Sequence, residues 1–131
     1  MKILIVDDEA NNRLLLSQLL ASHGDCDLAV NGREAVEAFE LSLADGEPYD
    51  LICLDIMMPE MDGQAALKKI RALEEEFEIS GDTIIFMTTA LDTEEHVVKA
   101  FFHGHCTDYL AKPISRESLE EKLNQYNLIA G

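Results

Sequence analysis

The stretch from Leu51 to Gly63 (LICLDIMMPEMDG) constrains the fold of this chain more than any other part of the sequence. It begins with the apolar run Leu51–Leu54, which is followed at once by Asp55 and then by a turn that contains Pro59. A short apolar run bounded by turn residues is typical of a strand buried on both faces, as in a parallel sheet. In open α/β sheets, ligands bind in the crevice at the carboxyl ends of the strands. We therefore expect Asp55 to carry the chemistry of the protein.

Four other apolar segments are predicted to form strands. Each is short, and each is bounded by acidic, glycine or proline residues, as strands of a packed sheet commonly are. The segments are Lys2–Val6, Cys26–Val30, Thr83–Thr88 and Thr107–Ala111. The segment Cys26–Val30 contains Asp27 and alternates only weakly, which indicates a partly exposed strand at an edge of the sheet.

Apolar residues after each strand recur at helical spacing, which predicts five helices. The residues expected to begin or end them include Gly24, Asn31, Gly63, Asp92 and Ser115. The third helix runs into the acidic segment Glu74–Glu78, which we expect to be a solvated helix end. Ser115 is expected to cap the last helix beside a hydrophobic staple of Ile114 and Leu119.

The order of these elements predicts the fold class. Strands and helices alternate five times with connections long enough for crossovers, so we expect an α/β protein with a parallel sheet and helices on both faces. The 131 residues fit one domain, residues 1–131. The apolar runs are too short to span a membrane, and the start MKILIVDDE lacks the features of a signal peptide. We therefore expect a cytoplasmic protein.

Charge and cysteine content exclude several classes of function. The formal net charge is −16, and such a field repels nucleic-acid phosphates and anionic membranes, so neither is expected among the partners. The three cysteines, Cys26, Cys53 and Cys106, form no C-x-x-C motif, so reduced thiols are expected. A metal site with Cys106 is disfavoured, because His103 and His105 are two apart and point to different sides of a helix.

The carboxyl ends of four predicted strands meet at one edge of such a sheet and carry polar side chains. These are Asp7, Asp8, Asp55, either Thr88 or Thr89, and Lys112. Clustered carboxylates repel one another unless a cation intervenes, and Mg²⁺ prefers such oxygen ligands. A carboxylate nucleophile, a hydroxyl and a lysine are the groups needed for phosphoryl transfer to an aspartate.

At these residues the sequence resembles the response-regulator receiver domains of two-component signalling. The resemblance covers nearly the whole chain, and its motifs occur in the family's order. They are Asp7-Asp8, Asp55 with Met58-Pro59 and Asp62-Gly63, Thr89-Ala90, and Tyr109 followed by Lys112-Pro113. The resemblance implies a flavodoxin-like doubly wound (βα)5 fold, with five parallel strands in the order 2-1-3-4-5 and helices on both faces.

The resemblance also implies the chemistry of the site. Asp55 is the expected phosphoacceptor, and it would receive its phosphoryl group from a phosphohistidine. Mg²⁺ would be bound directly by Asp8, Asp55 and the backbone carbonyl of Met57. Asp7 would hold the ion through a water molecule.

The remaining motif residues are implied to act on the phosphoryl group and to report its presence. Thr89 would hydrogen bond a phosphoryl oxygen, Lys112 would pair with the group, and Tyr109 would turn inward as Thr89 moves. The implied function is a phosphorylation-controlled signalling switch. The change would reach the face formed by the fourth helix, the fifth strand and the fifth helix, and would control a protein partner.

The implied phosphodonor is a histidine kinase or a phosphotransfer protein. The chain ends a few residues after the last predicted helix, so we expect either a stand-alone regulator without an output domain or a receiver excised from a larger protein. It would catalyse only its own phosphorylation and dephosphorylation. We expect a monomer or a weak, phosphorylation-dependent dimer.

Two positions that tune the lifetime of the phosphorylated state in this family are occupied here by Met57 and Leu91. Neither side chain can orient an attacking water by hydrogen bonding, so slow self-hydrolysis is predicted. A Mg²⁺-dependent phosphohydrolase is the alternative enzyme, but it needs a second acid where Met57 stands. A pseudo-receiver that only binds a partner is the other alternative, and the intact acidic site argues against it.

Overall fold

The computed structural model describes residues 1–78, 83–90 and 106–129. Its strands are β1 (Lys2–Val6), β2 (Asp25–Ala29), β3 (Leu51–Asp55), β4 (Ile84–Ala90) and β5 (Asp108–Lys112). The helices within these ranges are α1 (Ala10–Leu20), α2 (Gly32–Ala44), α3 (Gly63–Glu76) and α4 (Arg116–Gln125). The predicted helix that Asp92 begins, together with Leu91, His103 and His105, lies outside the described residues.

The five strands form one parallel sheet in the order β2-β1-β3-β4-β5. The flavodoxin-like prediction, including the strand order, is therefore confirmed. β2 lies at the edge and exposes most of its residues, as its weak alternation and its charged residue Asp27 predicted. In the centre, β3 is buried along its whole length, which agrees with the continuous apolar run that defines it.

Hydrophobic cores lie on both faces of the sheet. The strand residues that point to one face are Leu4, Val6, Ile52, Leu54, Ile85 and Met87. Those that point to the other are Ile3, Ile5, Leu51, Cys53, Phe86 and Leu110. The first set packs against α2 and α3 and the second against α1 and α4, because successive side chains of a strand alternate between faces. Helices on both faces were predicted.

Side chains cap three of the helices, and the cap by Ser115 was predicted. Asn31 accepts a hydrogen bond from the Glu34 amide at 2.8 Å, which caps α2. The Ser115 hydroxyl accepts one from the Ser118 amide at 3.1 Å, which caps α4. Asp62 caps α3 in the same way, with a distance of 2.9 Å to the Ala65 amide.

The fourth strand extends further than its apolar pattern predicted. We expected it to end at Thr88, but β4 continues through Ala90. The reason is tertiary: Thr89 and Ala90 pair in register with Ala111 and Lys112 of β5, and this pairing keeps the backbone extended. The extension places Thr88 and Thr89 inside the strand.

The acidic end of α3 is partly buried, which corrects the prediction that Glu74–Glu78 is wholly solvated. Glu74 has only 2% of its surface exposed. It pairs with Arg71 at 2.6 Å between Oε1 and NH1, and its other oxygen accepts a hydrogen bond from the Thr83 amide at 3.3 Å. Arg71 also donates to the Thr83 carbonyl at 3.0 Å. Burial is tolerated because the carboxylate has both a counter-charge and a backbone donor.

No disulfide forms among the three cysteines, as predicted: Cys26, Cys53 and Cys106 are free thiols. Burial raises the pKa of Cys53 to about 12 and that of Cys106 to about 11. Among the described ranges of the chain, no helix combines the length and apolarity that a membrane crossing requires.

Candidate functional site

Three carboxylates and one ammonium group lie together at the carboxyl edge of the sheet. Asp7 and Asp8 directly follow β1, Asp55 is the last residue of β3, and Lys112 is the last residue of β5. One carboxylate oxygen from each of the three aspartates lies within 4.8 Å of the other two. The Nζ atom of Lys112 lies 3.1 Å from Asp7 Oδ2 and 3.3 Å from Asp55 Oδ2. The predicted acidic residues and the predicted lysine therefore meet in space.

The carboxylates differ in exposure, and the pKa of Asp55 reflects its surroundings. Asp7 is fully buried and Asp55 is 4% exposed, whereas Asp8 lies at the surface. Burial raises the pKa of Asp55 to about 6, with Lys112 opposing and Asp7 adding to the rise. Burial of the Lys112 ammonium lowers its pKa, but the carboxylates of Asp55 and Asp7 outweigh this effect and raise it. The lysine is thus held as a cation beside Asp55.

The first turn of α1 fixes Asp7. The Glu9 amide donates to Asp7 Oδ1 at 2.9 Å, and the amide group of Asn12 approaches the same oxygen at 3.5 Å. Arg13 donates from NH1 to the Asp7 carbonyl at 2.8 Å. The sequence pattern did not predict Asn12 and Arg13 as supports of the site. Their spacing of five and six residues after Asp7, in the first turns of the following helix, was the available signal.

The loop between β3 and α3 is held close to Asp55 at both of its ends. The Met57 amide lies 3.4 Å from Asp55 Oδ1, and the Gly63 amide donates to the Ile56 carbonyl at 2.8 Å. A side chain at Gly63 would collide with the Asp55 carbonyl oxygen, so only glycine fits this approach. The Met57 side chain is 58% exposed and does not fill the site.

A second contact positions the middle of that loop against α2. Glu60 adopts a positive φ of 67°, and its carboxylate accepts a hydrogen bond from Asn31 Nδ2 at 3.1 Å. The Gly32 amide donates to the Met61 carbonyl at 3.1 Å, in a contact that leaves no room for a Cβ at Gly32. Because Asn31 also caps α2, one side chain ties the loop to the helix.

Both candidate threonines are buried in β4, next to the strand that ends in Asp55. Thr88 is paired in register with Asp55, and Thr89 follows it in β4. Thr88 shares a face of the strand with Phe86, and Thr89 shares the opposite face with Met87. In the described part of the chain, the Thr88 hydroxyl has no hydrogen-bond partner.

Tyr109 is on β5, three residues before Lys112. Met87 pairs with Tyr109, and Thr89 pairs with Ala111. Tyr109 and Thr89 therefore lie on neighbouring strands with their side chains on the same face of the sheet, displaced by two residues along the strands. Its ring is exposed: 44% of the residue's surface is accessible. The predicted switch residue is therefore exposed in this structure.

The donor set fits a hard divalent cation. All three candidate side chains offer carboxylate oxygens, which Mg²⁺ prefers over nitrogen or sulfur. Asp7 Oδ2 is buried and meets Lys112 only as an ion pair, without a hydrogen bond from the described residues. A cation or a water bound to it would give this oxygen a second partner in addition to the Lys112 ammonium.

The fold and the acidic carboxyl edge of its sheet define the chain as a receiver domain of two-component signalling. The model of the family described as the response regulator receiver domain matches residues 3–124. The chain belongs to this family, and it is therefore a domain of the phosphorylation-controlled switch type.

Two similar chains of known proteins extend over nearly the same length as this one. Chemotaxis protein CheY of Bacillus subtilis is 34% identical over 126 residues, which are 95% of this chain and 95% of that protein. The co-crystal structure of the Saccharomyces cerevisiae histidine phosphotransfer signalling protein Ypd1 and the receiver domain of its downstream response regulator Ssk1 contains a similar chain. It matches with a TM-score of 0.82 and 29% identity, over 96% of this chain and 88% of that chain.

A third similar protein was solved with a metal. It is the receiver domain of the sensor histidine kinase PA1611 from Pseudomonas aeruginosa, with a magnesium ion coordinated in its active-site cleft. It matches with a TM-score of 0.77 and 30% identity, over 95% of each chain. Other relatives are far longer: the chain spans 7%, 13% and 4% of three histidine kinases that it matches.

Proposed function

We propose that the protein is a signalling switch in which Asp55 accepts a phosphoryl group from the phosphohistidine of a histidine kinase or a phosphotransfer protein. The observation that carries this proposal is the position of Lys112, whose ammonium lies within 3.3 Å of both the Asp55 and the Asp7 carboxylates. The similar receiver domain crystallised with a histidine phosphotransfer protein supports the class of donor.

In the proposed reaction, an oxygen of the Asp55 carboxylate attacks the phosphorus atom, and the bond from phosphorus to the imidazole nitrogen breaks. The electron pair of that bond leaves with the imidazole. Asp55 must be ionised to attack, and its pKa of about 6 leaves it mostly anionic at pH 7. Lys112 offsets the negative charge that the transferred group brings to the carboxylate.

Asp8, Asp55 and the backbone carbonyl of Met57 are the proposed direct ligands of Mg²⁺, with Asp7 holding it through water. When bound, the ion neutralises charge on the phosphoryl oxygens and lowers the repulsion among the carboxylates. The clustered carboxylate oxygens support this assignment, as does the magnesium ion in the similar receiver domain. Arg13 and Asn12 then serve to hold Asp7 in place.

Thr89 is proposed to hydrogen bond a phosphoryl oxygen, and Tyr109 to turn inward when Thr89 moves. The shared sheet face of these residues in β4 and β5 supports the coupling. We propose that the change reaches the face formed by β5, by α4 (the fifth predicted helix) and by the fourth predicted helix. A protein partner is proposed to bind this face.

Acetyl phosphate with Mg²⁺, followed by intact-protein mass spectrometry, tests the acceptor. A single phosphoryl adduct is expected in the wild type and none in Asp55→Asn, with Glu76→Gln as a control for the loss of an exposed acid. An unmodified wild type would support a pseudo-receiver. Sustained release of phosphate with turnover would support a phosphohydrolase.

A further inference from the structure

A buried carboxylate links the strand of Tyr109 to the last helix. Asp108, the first residue of β5, is 8% exposed. Its Oδ2 accepts hydrogen bonds from Lys122 Nζ at 2.9 Å and from the Tyr126 hydroxyl at 2.7 Å. Its Oδ1 accepts one from the Tyr109 backbone amide at 2.8 Å. The Asp108 side chain therefore holds three groups: Lys122 in α4, Tyr126 at the C-cap of α4, and the backbone of Tyr109, the proposed switch residue.

The electrostatics of this cluster favour the ionised carboxylate. Burial of Asp108 opposes ionisation, but the hydrogen bonds from Tyr126, Lys122 and the Tyr109 amide outweigh it and lower the pKa of Asp108. The bond to Asp108 in turn raises the pKa of Tyr126 to about 12, after the effect of burial. The cluster is thus a charged, hydrogen-bonded unit at neutral pH, and Lys122 is held in a defined position by it.

Lys122 also contacts the Tyr109 ring. Its Nζ atom lies 5.9 Å from the ring centroid, within the range in which an ammonium group is attracted by an aromatic face. The ring is in its outward, exposed position in this arrangement. Because Asp108 anchors the ammonium, the lysine does not follow the ring freely, and an inward rotation of Tyr109 has to give up the contact.

We propose that Lys122, anchored by Asp108, is a positioning residue that holds the Tyr109 ring outward and so sets how readily the switch moves. This inference rests on the proposed role of Tyr109 and adds a regulator to it. Lys122 lies on α4 and contacts neither Asp55 nor Asp7 among its bonded partners in the described residues. Its effect is on the balance between the outward and inward positions, while Asp55 remains available for phosphorylation.

The test follows Tyr109 directly by fluorine NMR of protein made with 3-fluorotyrosine, because the chain has only three tyrosines to assign. Beryllofluoride with Mg²⁺ serves as a mimic of the phosphoryl group. In Lys122→Gln, the inward-to-outward ratio without the mimic should rise about two- to five-fold. The midpoint concentration of the mimic should fall by about the same factor, since the competent position is more populated.

Three variants control for other effects. Lys122→Arg keeps a cation over the ring and should behave as the wild type does. Tyr126→Phe removes a bond to Asp108 without touching the ring contact, so it should lower stability and leave the Tyr109 signal in place. Lys2→Gln removes a similar ammonium–ring contact at Tyr49, 4.7 Å long and remote from the site, and should change only the Tyr49 signal.

Two results would overturn the role of Lys122 alone. In the first, the Tyr109 signal responds to the mimic in the wild type and responds identically in Lys122→Gln. In the second, Tyr126→Phe shifts the Tyr109 signal as much as Lys122→Gln does. The first means that the ring contact has no weight, and the second that loosening of the cluster is the cause. A wild-type Tyr109 signal that stays fixed while mass spectrometry shows phosphorylated Asp55 would overturn both the switch role of Tyr109 and the positioning role of Lys122. Absence of the Asp55 adduct would instead contradict the proposed phosphoacceptor.

Discussion

Lys112 reaches across a whole strand to Asp55. Its Nζ atom lies 3.3 Å from Asp55 Oδ2 although β4 separates β5 from β3. The reach is possible because both residues stand at the carboxyl ends of their strands, where the side chains leave the sheet. The contact provides the buried Asp55 carboxylate with a counter-charge.

We expect Lys112→Met to slow phosphorylation of Asp55 by acetyl phosphate by about a hundredfold, the usual effect of removing one charged donor from such a site. The measurement is the initial rate of adduct formation by mass spectrometry at saturating Mg²⁺. Lys112→Arg keeps the charge but has a different geometry, and it should recover only part of the rate. An unchanged rate in Lys112→Met would remove the lysine from the mechanism.

Asp55 should make folding stability depend on pH in a sense opposite to most acids. Its pKa rises from 3.8 to about 6 on folding, so the folded protein binds the proton more tightly. The associated stabilisation is present below the unfolded pKa and is lost as the pH rises through about 6, a loss of roughly 1–3 kcal/mol.

The variant Asp55→Asn has no carboxyl group at this position, so it does not lose stability in this way as the pH rises. Without Mg²⁺ at pH 7, the variant should be more stable than the wild type by roughly 1–3 kcal/mol, and the difference should vanish near pH 4. Urea unfolding at both pH values measures it, with the exposed Glu121→Gln as a control that stays within about 0.5 kcal/mol of the wild type. Mg²⁺ should stabilise the wild type more than the variant. A variant less stable than the wild type at pH 7 would contradict the assigned pKa.

The phosphorylated state is expected to be long-lived. Met57 cannot orient a water by hydrogen bonding, and it is an exposed residue of the loop that follows Asp55. Met57→Asn should shorten the lifetime of the adduct several-fold, because the amide can position a water near the phosphorus. The decay of the mass adduct after removal of acetyl phosphate measures it. A wild-type lifetime shorter than that of Met57→Asn would refute this explanation.

The Glu74–Arg71 pair is expected to be important for stability. Glu74→Ala removes the buried counter-charge of Arg71 and the acceptor of the Thr83 amide, which should cost about 3–5 kcal/mol. The neighbouring Glu75 is exposed, so Glu75→Ala should cost less than about 0.5 kcal/mol. Chemical denaturation of both variants gives the comparison. Equal stability of the two would show that the pair is exposed in solution.

Much of the fold followed from local patterns. β1 and β3 were bounded to within one residue, because apolar runs that end in acids depend little on distant contacts. The ends of β4 were wrong by one or two residues, since its pairing with β3 begins at Ile84 and its pairing with β5 extends to Ala90. The choice between Thr88 and Thr89 was also open, and both lie buried in the strand.

The residues that support the site were not found in the sequence. Arg13 and Asn12 look like ordinary helix-surface residues, and only the folding of α1 back onto Asp7 reveals their contacts. In the same way, Glu74 was predicted to be solvated because acidic runs usually are. Its burial depends on how the end of α3 packs against the beginning of β4.

By itself, the sequence determined the class of fold and predicted that Asp7, Asp8, Asp55 and Lys112 come together at the carboxyl edge of the sheet. These follow from strand–helix alternation and from residues placed at strand ends, which are local properties of the chain. Only the tertiary structure decided that Lys112 bridges two carboxylates and that Asp108 joins Tyr109 to α4. Such contacts join residues from different elements, and their distances exist only once the sheet and helices have packed.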